Sequence, residues 1–538
     1  MLKRLRKKQA KLVKTKEKRY EIHADNVKAE VIIYHKKDDY VPTYELIYPK
    51  IKEATAAILN SIREDLIRLI GIGGREILDP KVMEDVRKKS LEEAKKLIDE
   101  HMPHTPKERR DTLAGQLVHE MFGLGKIELL LRDDDLEEIV INDSSEPIWV
   151  YHKEFGWLKT NLKPKSEEEI YNYASMIGRR IGRQITNLDP LMDAHLISGD
   201  RVNATLFPIS TQGNTITIRK FARNPWTIIN FIDPEINTLS KEPAALLWLS
   251  IEYELNVIIA GGTASGKTSL LNALTPFMPP TQRIISIEDT RELQLPEFLH
   301  WVPMTTREPN PEGKGKVSML ELMVNSLRMR PDRIIVGEIR RQRQAEVLFE
   351  AMHTGHSVYS TLHANTAEEV RRRMINPPIS LPESMLEALH LTCVQFRHRR
   401  LGIRRTFEIA EFVPSMMPGG KSKIDVNVLY AWNPRKDVIE KVRPNAKLRD
   451  ISMRLVDEIQ MHTGMSDKEF EDNLKEKGKI LEWMLKQNIK TVNTVGKVLA
   501  DYYRDKDYVL ELVRKNKKPQ DIFDKALLDE MRARKLIK

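Results

Sequence analysis

Apolar side chains recur at 51, 58, 62, 66 and 70 in IKEATAAILNSIREDLIRLI (51–70), the spacing of one helix face. Helix-like segments continue to about 122. Residues 123–230 then mix helices with short strands, among them EEIVIND (137–143) and the alternating NTITIRKF (214–221), until Asn224-Pro225 breaks the pattern. From 256 the texture changes. Short β-branched runs alternate with helical stretches, which predicts a parallel sheet with crossover helices. NVIIAGG (256–262) is a buried strand entering a glycine turn; RIISIED (283–289), RIIVGE (333–338) and SVYSTLHA (357–364) are three more. The helix between the second and third opens on Ser318 and Glu321 in capping-box spacing and stops before Pro331. RTFEIAEF (405–412) and IDVNVLY (424–430) alternate on either side of a Pro/Gly loop and predict a hairpin. Beyond 445 the chain reads as helices, one opening on a second capping box at Ser466 and Glu469.

The textures predict an arm over 1–25 and an N-terminal domain over 26–221, helical to about 122 and α+β beyond. A linker is expected over 222–235, then an α/β core over 236–440 and a helical C-terminal extension over 441–538. Composition adds constraints. One cysteine, Cys393, among 538 residues excludes an internal disulfide framework and a four-cysteine zinc module. No apolar run approaches a bilayer span and no secretory apolar core opens the chain, so the expected compartment is cytoplasmic. The net charge of +10 points to nucleic acid, but residues 1–20 carry +9 of it and the remaining 518 only +1. Basicity belongs to the arm, and no nucleic acid is expected on the body. In the arm, Leu2, Leu5, Leu12 and Val13 recur among lysines at roughly helical spacing. Two readings stay open: a basic amphipathic helix on an anionic membrane surface or acidic partner, and a solvated tail.

GGTASGKT (261–268) satisfies the phosphate-loop pattern G-x-x-x-x-G-K-[ST], comes after a buried strand and opens a helix. Its glycines let successive backbone N–H groups converge on phosphate oxygens, and the helix N-terminus adds a favourable dipole. Gly261, Gly262, Thr263, Ala264, Ser265, Gly266 and Ser269 would frame the nucleotide. Lys267 would reach the β and γ phosphates, and Thr268 would ligate Mg²⁺. Hydrolysis also needs an acid near the metal and a group that orients water. Open α/β sheets present such groups at the carboxyl ends of their strands. There the sequence offers Glu288, Asp289 and Glu292 after one strand and Glu338 after another. A further strand ends in His363, which either senses the γ-phosphate or a neighbouring subunit or packs into the core. His353 and His356 straddle Thr354-Gly355, a helix stop, so they do not share a helix face as the ligands of an H-E-x-x-H zinc site do.

In order, GGTASGKT, IEDTRELQLP, LRMRPDRIIVGE and HTGHSVYSTLHA resemble the Walker A, Asp-box, Walker B and His-box motifs of secretion-superfamily ATPases. These are the hexameric motors of type II secretion, type IV pili and the archaeal flagellum (archaellum). The resemblance spans about 115–435, and IEDTRELQLP with GEIRRQRQAEVLFEAMHTGH looks most like the archaeal branch. It implies a RecA-like P-loop NTPase C-terminal domain with a separate α+β N-terminal domain, and ATP and Mg²⁺ as ligands. By the same resemblance Glu292 is the water-activating carboxylate and Glu338 the Walker B acid, meeting Mg²⁺ partly through water. Glu288 and Asp289 fall in the acidic box, and His353, His356 and His363 in the His box. Asp332, at the opposite end of its strand, is not expected at the metal. Family members complete the site with N-terminal-domain arginines; Arg201 and Arg219 lie in strand-like segments of the matching region, with Arg223 a further candidate. EPNPEGKGK (308–316) reads as a loop at a subunit contact or a passive one.

The resemblance also implies a homohexamer, peripheral at the inner face of the cell membrane and coupled to a polytopic membrane platform protein. Archaellum assembly or rotation is the first expectation, and archaeal type IV pilus assembly or type II secretion the alternative. A nucleic-acid translocase would share the phosphate loop but needs a basic body. A nucleotide-gated scaffold would leave Glu292 and Glu338 idle.

Overall fold

The computed structural model describes residues 18–36, 39–70, 80–181, 183–196, 199–221, 223–307, 309, 313–416 and 422–537. The chain forms two compact units, one built mainly from residues up to Arg223 and the other over Asn224–Pro309 and Gly315–Lys538. Among the described residues no helix is long and apolar enough to cross a membrane.

In the first unit strands begin earlier than the sequence reading places them. Residues 1–17 of the expected arm lie outside the described residues, but β1 (Lys18–Ala24) and β2 (Val27–Tyr34) occupy its end and the start of the expected helical region. They pair antiparallel through Asp25 and Asn26, both at positive φ (42° and 67°), a two-residue turn whose twist suits a hairpin. With β3 (Thr43–Ile47) they replace the arm and helix expected there. The cause is a period-2 pattern, Ile22, Ala24, Val27, Ala29, Val31 and Ile33 all buried, that the interleaved charges conceal.

Helices α1 (Glu53–Ile70), α2 (Pro80–His101) and α3 (Lys107–Phe122) pack a core of their own around Ile62, Leu66, Ala94 and Ile98. The rest of the unit is α4 (Ile127–Arg132), β4 (Leu136–Ile141), β5 (Trp149–His152), β6 (Gly156–Thr160), α5 (Glu167–Arg180), β7 (Leu191–His195), β8 (Arg201–Thr205) and β9 (Thr215–Arg219). The sheet runs β1-β2-β3-β6-β5-β4-β9-β8-β7, antiparallel apart from the β3–β6 pair.

The expected linker over 222–235 is partly core of the second unit. In it α6 (Ile228–Phe231) buries Ile228, Ile229, Phe231 and, just beyond, Ile232, too apolar a run to stay in water. The unit continues with α7 (Lys241–Glu252), β10 (Val257–Gly261), α8 (Lys267–Leu274), β11 (Ile284–Glu288), β12 (Trp301–Thr305), α9 (Met319–Ser326), β13 (Arg333–Val336), α10 (Gln342–His353), β14 (Ser357–Leu362), α11 (Ala367–Ile375) and β15 (Leu391–His398). Six strands lie parallel in the order β12-β11-β13-β14-β10-β15. β16 (Ile403–Met416), β17 (Ser422–Asn433) and β18 (Val438–Lys441) extend the sheet antiparallel. Every position of β10, β11, β13 and β14 is buried, because helices cover both faces. Val257 and Ile259 enter one core, Ile258 and Ala260 the other.

Five helices close the chain: α12 (Leu455–Thr463), α13 (Asp467–Lys486), α14 (Val492–Arg504), α15 (Lys506–Arg514) and α16 (Lys525–Ala533). They share one hydrophobic core with α7 and α8, through Val456, Phe470, Trp483, Val495 and Leu499. Buried Lys477 joins α13 to α7: its Nζ lies 2.8 Å from Glu252 Oε2 and about 5 Å from the Trp248 and Tyr502 rings. The two sheets with their helices make a mixed α/β protein.

Candidate functional site

β10 is apolar throughout, and the chain leaves the core at its carboxyl end through a turn that demands glycine. A Cβ on Gly261 would lie 2.4 Å from both Gln395 O and Ser265 Oγ. Ala264 and Gly266 stand at φ 57° and 96°, backbone of the kind that forms anion-binding nests. α8 starts at once with Lys267, whose buried Nζ donates to Gly261 O and Gly262 O at 3.0 Å each. Ser265 Oγ is buried without a hydrogen bond. Thr263, Ala264 and Ser269 are exposed, while Gly262 and Thr268 are half-buried.

β14, β13 and β11 succeed one another outward from β10, so their carboxyl ends share one edge. A polar chain crosses it. Lys267 Nζ stands 3.3 Å from His363 Nδ1; because an ammonium only donates, Nδ1 accepts and the ring proton sits on Nε2. Nε2 faces Glu338 Oε1 at 2.9 Å. The other Glu338 oxygen, Oε2, accepts from Arg340 Nε at 2.8 Å and Nη2 at 2.6 Å, and Arg340 Nη1 reaches Asp289 Oδ2 at 2.9 Å. Burial first, then the charge of Lys267, lowers the pKa of His363, so its ring is neutral near pH 7.

Glu288 sits differently. Its Oε1 accepts from the N–H groups of Glu292 (2.8 Å) and Leu293 (3.1 Å), while Oε2 is buried without a hydrogen bond. Burial pushes this carboxyl up to about 7 against those two donors. Glu292 lies on the irregular segment after β11, half-buried.

The remaining sequence candidates lie elsewhere. Arg201 and Arg219 belong to the first unit, where they are direct cross-strand partners on an exposed sheet face. Arg201 Nε donates to Asp193 Oδ1 at 3.1 Å, and Glu138 lies opposite Arg219. Arg223, in the same unit, has its pKa lowered by burial and then by Arg132. Asp332 Oδ2 accepts from Arg283 N at 2.6 Å at the amino end of β13, away from the polar chain. His353 Nε2 is 3.1 Å from Met385 O, and His356 Nδ1 donates to Ala351 O at 3.2 Å; neither approaches His363 through these contacts. Among the described residues no group of three His, Cys, Asp or Glu is placed to hold a metal on its own. The loop 308–316 lies partly outside the described residues; Arg307 and Val317 bridge its base.

Two arginines escape the sequence reading. Arg340 sits in the basic run IRRQR, and its i, i+2 spacing from Glu338 is the signal. Arg404, on β16, donates from Nε to Ala264 O at 3.1 Å, and no local pattern announces a contact across 140 residues.

The site can hold an anionic phosphate chain. It offers a glycine cradle that a Cβ would fill, a buried ammonium resting on backbone carbonyls, and a buried hydroxyl, Ser265 Oγ, without a hydrogen bond. A parallel α/β unit with such a strand-end site is the class these features define. The chain matches the family described as type II/IV secretion system protein over residues 189–395. It is 34% identical to the uncharacterized protein MJ0900 of Methanocaldococcus jannaschii, over 77% of this chain and 72% of that one. It is 31% identical to the type IV secretion system protein PtlH of Bordetella pertussis, over 50% of this chain and 86% of that one. A structural comparison with the ATPase DotB of Yersinia pseudotuberculosis covers 70% of this chain and 92% of that one, at 17% identity and a TM-score of 0.40. The chain belongs to the type II/IV secretion system protein family, the secretion-ATPase family whose motifs its sequence carries.

Proposed function

We propose that the chain is an ATP hydrolase, the motor subunit of a homohexamer at the cytoplasmic face of the membrane. The observation that carries this reading is the polar chain Lys267–His363–Glu338–Arg340–Asp289 beside the glycine turn. On ATP binding, backbone N–H groups of 261–266 take the phosphate oxygens, and Lys267 exchanges its carbonyl partners for the β and γ phosphates. Thr268 and Glu338, the latter partly through water, would hold Mg²⁺, which when bound neutralises phosphate charge. Neutral His363 lies against Glu338 and would face the γ-phosphate. Glu292 orients the attacking water, while Glu288 fixes the backbone that carries it. Arg201 and Arg219, side by side on the N-terminal domain, suit transition-state charge in a neighbouring subunit's site. The ATP-binding part is a RecA-like core over about 236–440.

In this reading ATP turnover, relayed through a polytopic membrane platform protein, drives assembly or rotation of an archaellum. The kinship with PtlH supports a second reading, assembly of a pilus or secretion machine. A deletion strain separates them: lost swimming with intact pili supports the first, the reverse the second. For the site itself, Lys267→Ala should weaken ATP binding at least about tenfold and abolish turnover. Binding and turnover equal to wild type would contradict the reading.

A further inference from the structure

We infer that the C-terminal helices clamp the segment carrying Glu292, with Gly496 and Asn493 on α14 as its positioning residues. The inference rests on the ATP-hydrolase reading above and adds a control that the phosphate-loop motifs do not contain.

The segment from 289 to 299 has no helix or strand of its own, so its conformation depends on what holds it. Besides the contacts of Thr306 and Arg340 with Asp289, three side chains among the described residues accept its backbone N–H groups. Glu288 takes the N–H groups of Glu292 and Leu293, and Asn272 Oδ1, on α8, takes that of Gln294 at 2.7 Å. The third comes from far along the chain: Asn493 Oδ1 accepts from Glu297 N at 3.2 Å. Leu293, Leu295 and Leu299 are buried in the core that also holds Val495, Val498 and Leu499 of α14. At the centre of this contact the helix carries glycine. A Cβ on Gly496 would lie 2.5 Å from Pro296 Cγ and 2.8 Å from Pro296 Cβ.

That glycine is not explained by backbone conformation, because it sits inside a helix at no positive φ. In a helix interior it costs about 1 kcal/mol against alanine, so close approach of Pro296 is the physical account of its presence. The segment is thereby tied at one end to the helix that starts from the glycine turn and at the other to α14. A displacement of about 1 Å at a group that orients water is enough to lower turnover by about a hundredfold. Movement of α14 therefore reaches Glu292 without touching the nucleotide.

The test uses the full chain with Gly496→Ala, Asn493→Ala and Asn493→Asp. It measures kcat and KM for Mg²⁺-ATP, affinity for ADP, and amide hydrogen exchange over 289–299. Gly496→Ala and Asn493→Ala should each lower kcat at least about tenfold and speed exchange at Glu292, Leu293 and Glu297. KM and ADP affinity should stay within about twofold of wild type. Asn493→Asp keeps the acceptor for Glu297 N–H but turns the Nδ2 donor to Glu530 Oε2 (3.4 Å) into a carboxylate oxygen, so it should restore part of the kcat lost in Asn493→Ala. If Gly496→Ala fails to fold, the Asn493 pair decides alone. A wild type that turns over ATP while Asn493→Ala leaves kcat and exchange unchanged overturns the clamp and spares the hydrolase reading. A fall in kcat matched by an equal loss of ADP affinity overturns it as well. A wild type without turnover overturns the reading beneath, and the clamp with it.

Discussion

Glu288 is buried and accepts two backbone donors, yet burial outweighs them and lifts its carboxyl to about 7 from an ordinary 4.5. A carboxyl raised in the folded state stabilises the fold below its unfolded pKa, and that stability is lost as pH rises through the folded value. Between about pH 5 and about pH 8, wild type should therefore lose about 2–3 kcal/mol more unfolding free energy than Glu288→Gln. Urea unfolding of both proteins at the two pH values measures this, and parallel losses would contradict it. Neighbouring Glu338 has a different environment: one oxygen faces a neutral imidazole and the other a guanidinium. One carboxyl is buried against backbone donors, the other lies between an imidazole and the guanidinium of Arg340. The glycine turn and the strand-end carboxyls beside it were legible because strand ends and glycine spacing are local properties of the chain. Arg340 and Arg404 were not, since what defines them is the partner they reach and not the residues beside them.

Among the elements, the buried parallel strands and both capping boxes, Ser318 with Glu321 and Ser466 with Glu469, stand where the residues place them. The hairpin read from 405–430 is β16 and β17. The first three strands were missed because a period of two among lysines and glutamates looks like a charged arm. The start of α12 shows what no local reading finds. Fully buried Glu411, on β16, accepts from Ser452 Oγ and Leu455 N at 2.8 Å each and from Asn427 Nδ2 at 2.6 Å. It caps that helix from a strand more than forty residues earlier. Glu411→Ala should cost about 3 kcal/mol, by the loss of charge-assisted bonds and the exposure of unpaired buried donors, and Glu411→Gln less. Thermal unfolding decides; a midpoint unchanged in Glu411→Ala would show that the helix caps itself.

For the whole molecule, charge and assembly set the expectations. Nearly all of the net positive charge lies in residues 1–20, which leaves the body almost neutral. Added double-stranded DNA should therefore not raise ATP turnover at low salt, whereas a salt-sensitive stimulation would reassign the motor to nucleic acid. The expected division into core and appended extension dissolves at this scale, because α13 and α14 complete the core on which α7 and α8 rest. Hydrophobic periodicity announces that a helix has a buried face without saying what covers it.

Phosphate release from Mg²⁺-ATP per protomer, across a series of protein concentrations, for wild type and Glu338→Gln, tests the central claim most directly. The account predicts wild-type turnover that rises with concentration and then saturates as subunits complete one another's sites. It predicts Glu338→Gln about a hundredfold slower at every concentration while still binding ATP. Equal turnover in the two proteins would contradict it, because the carboxylate at the centre of the polar chain would then have no part in the reaction.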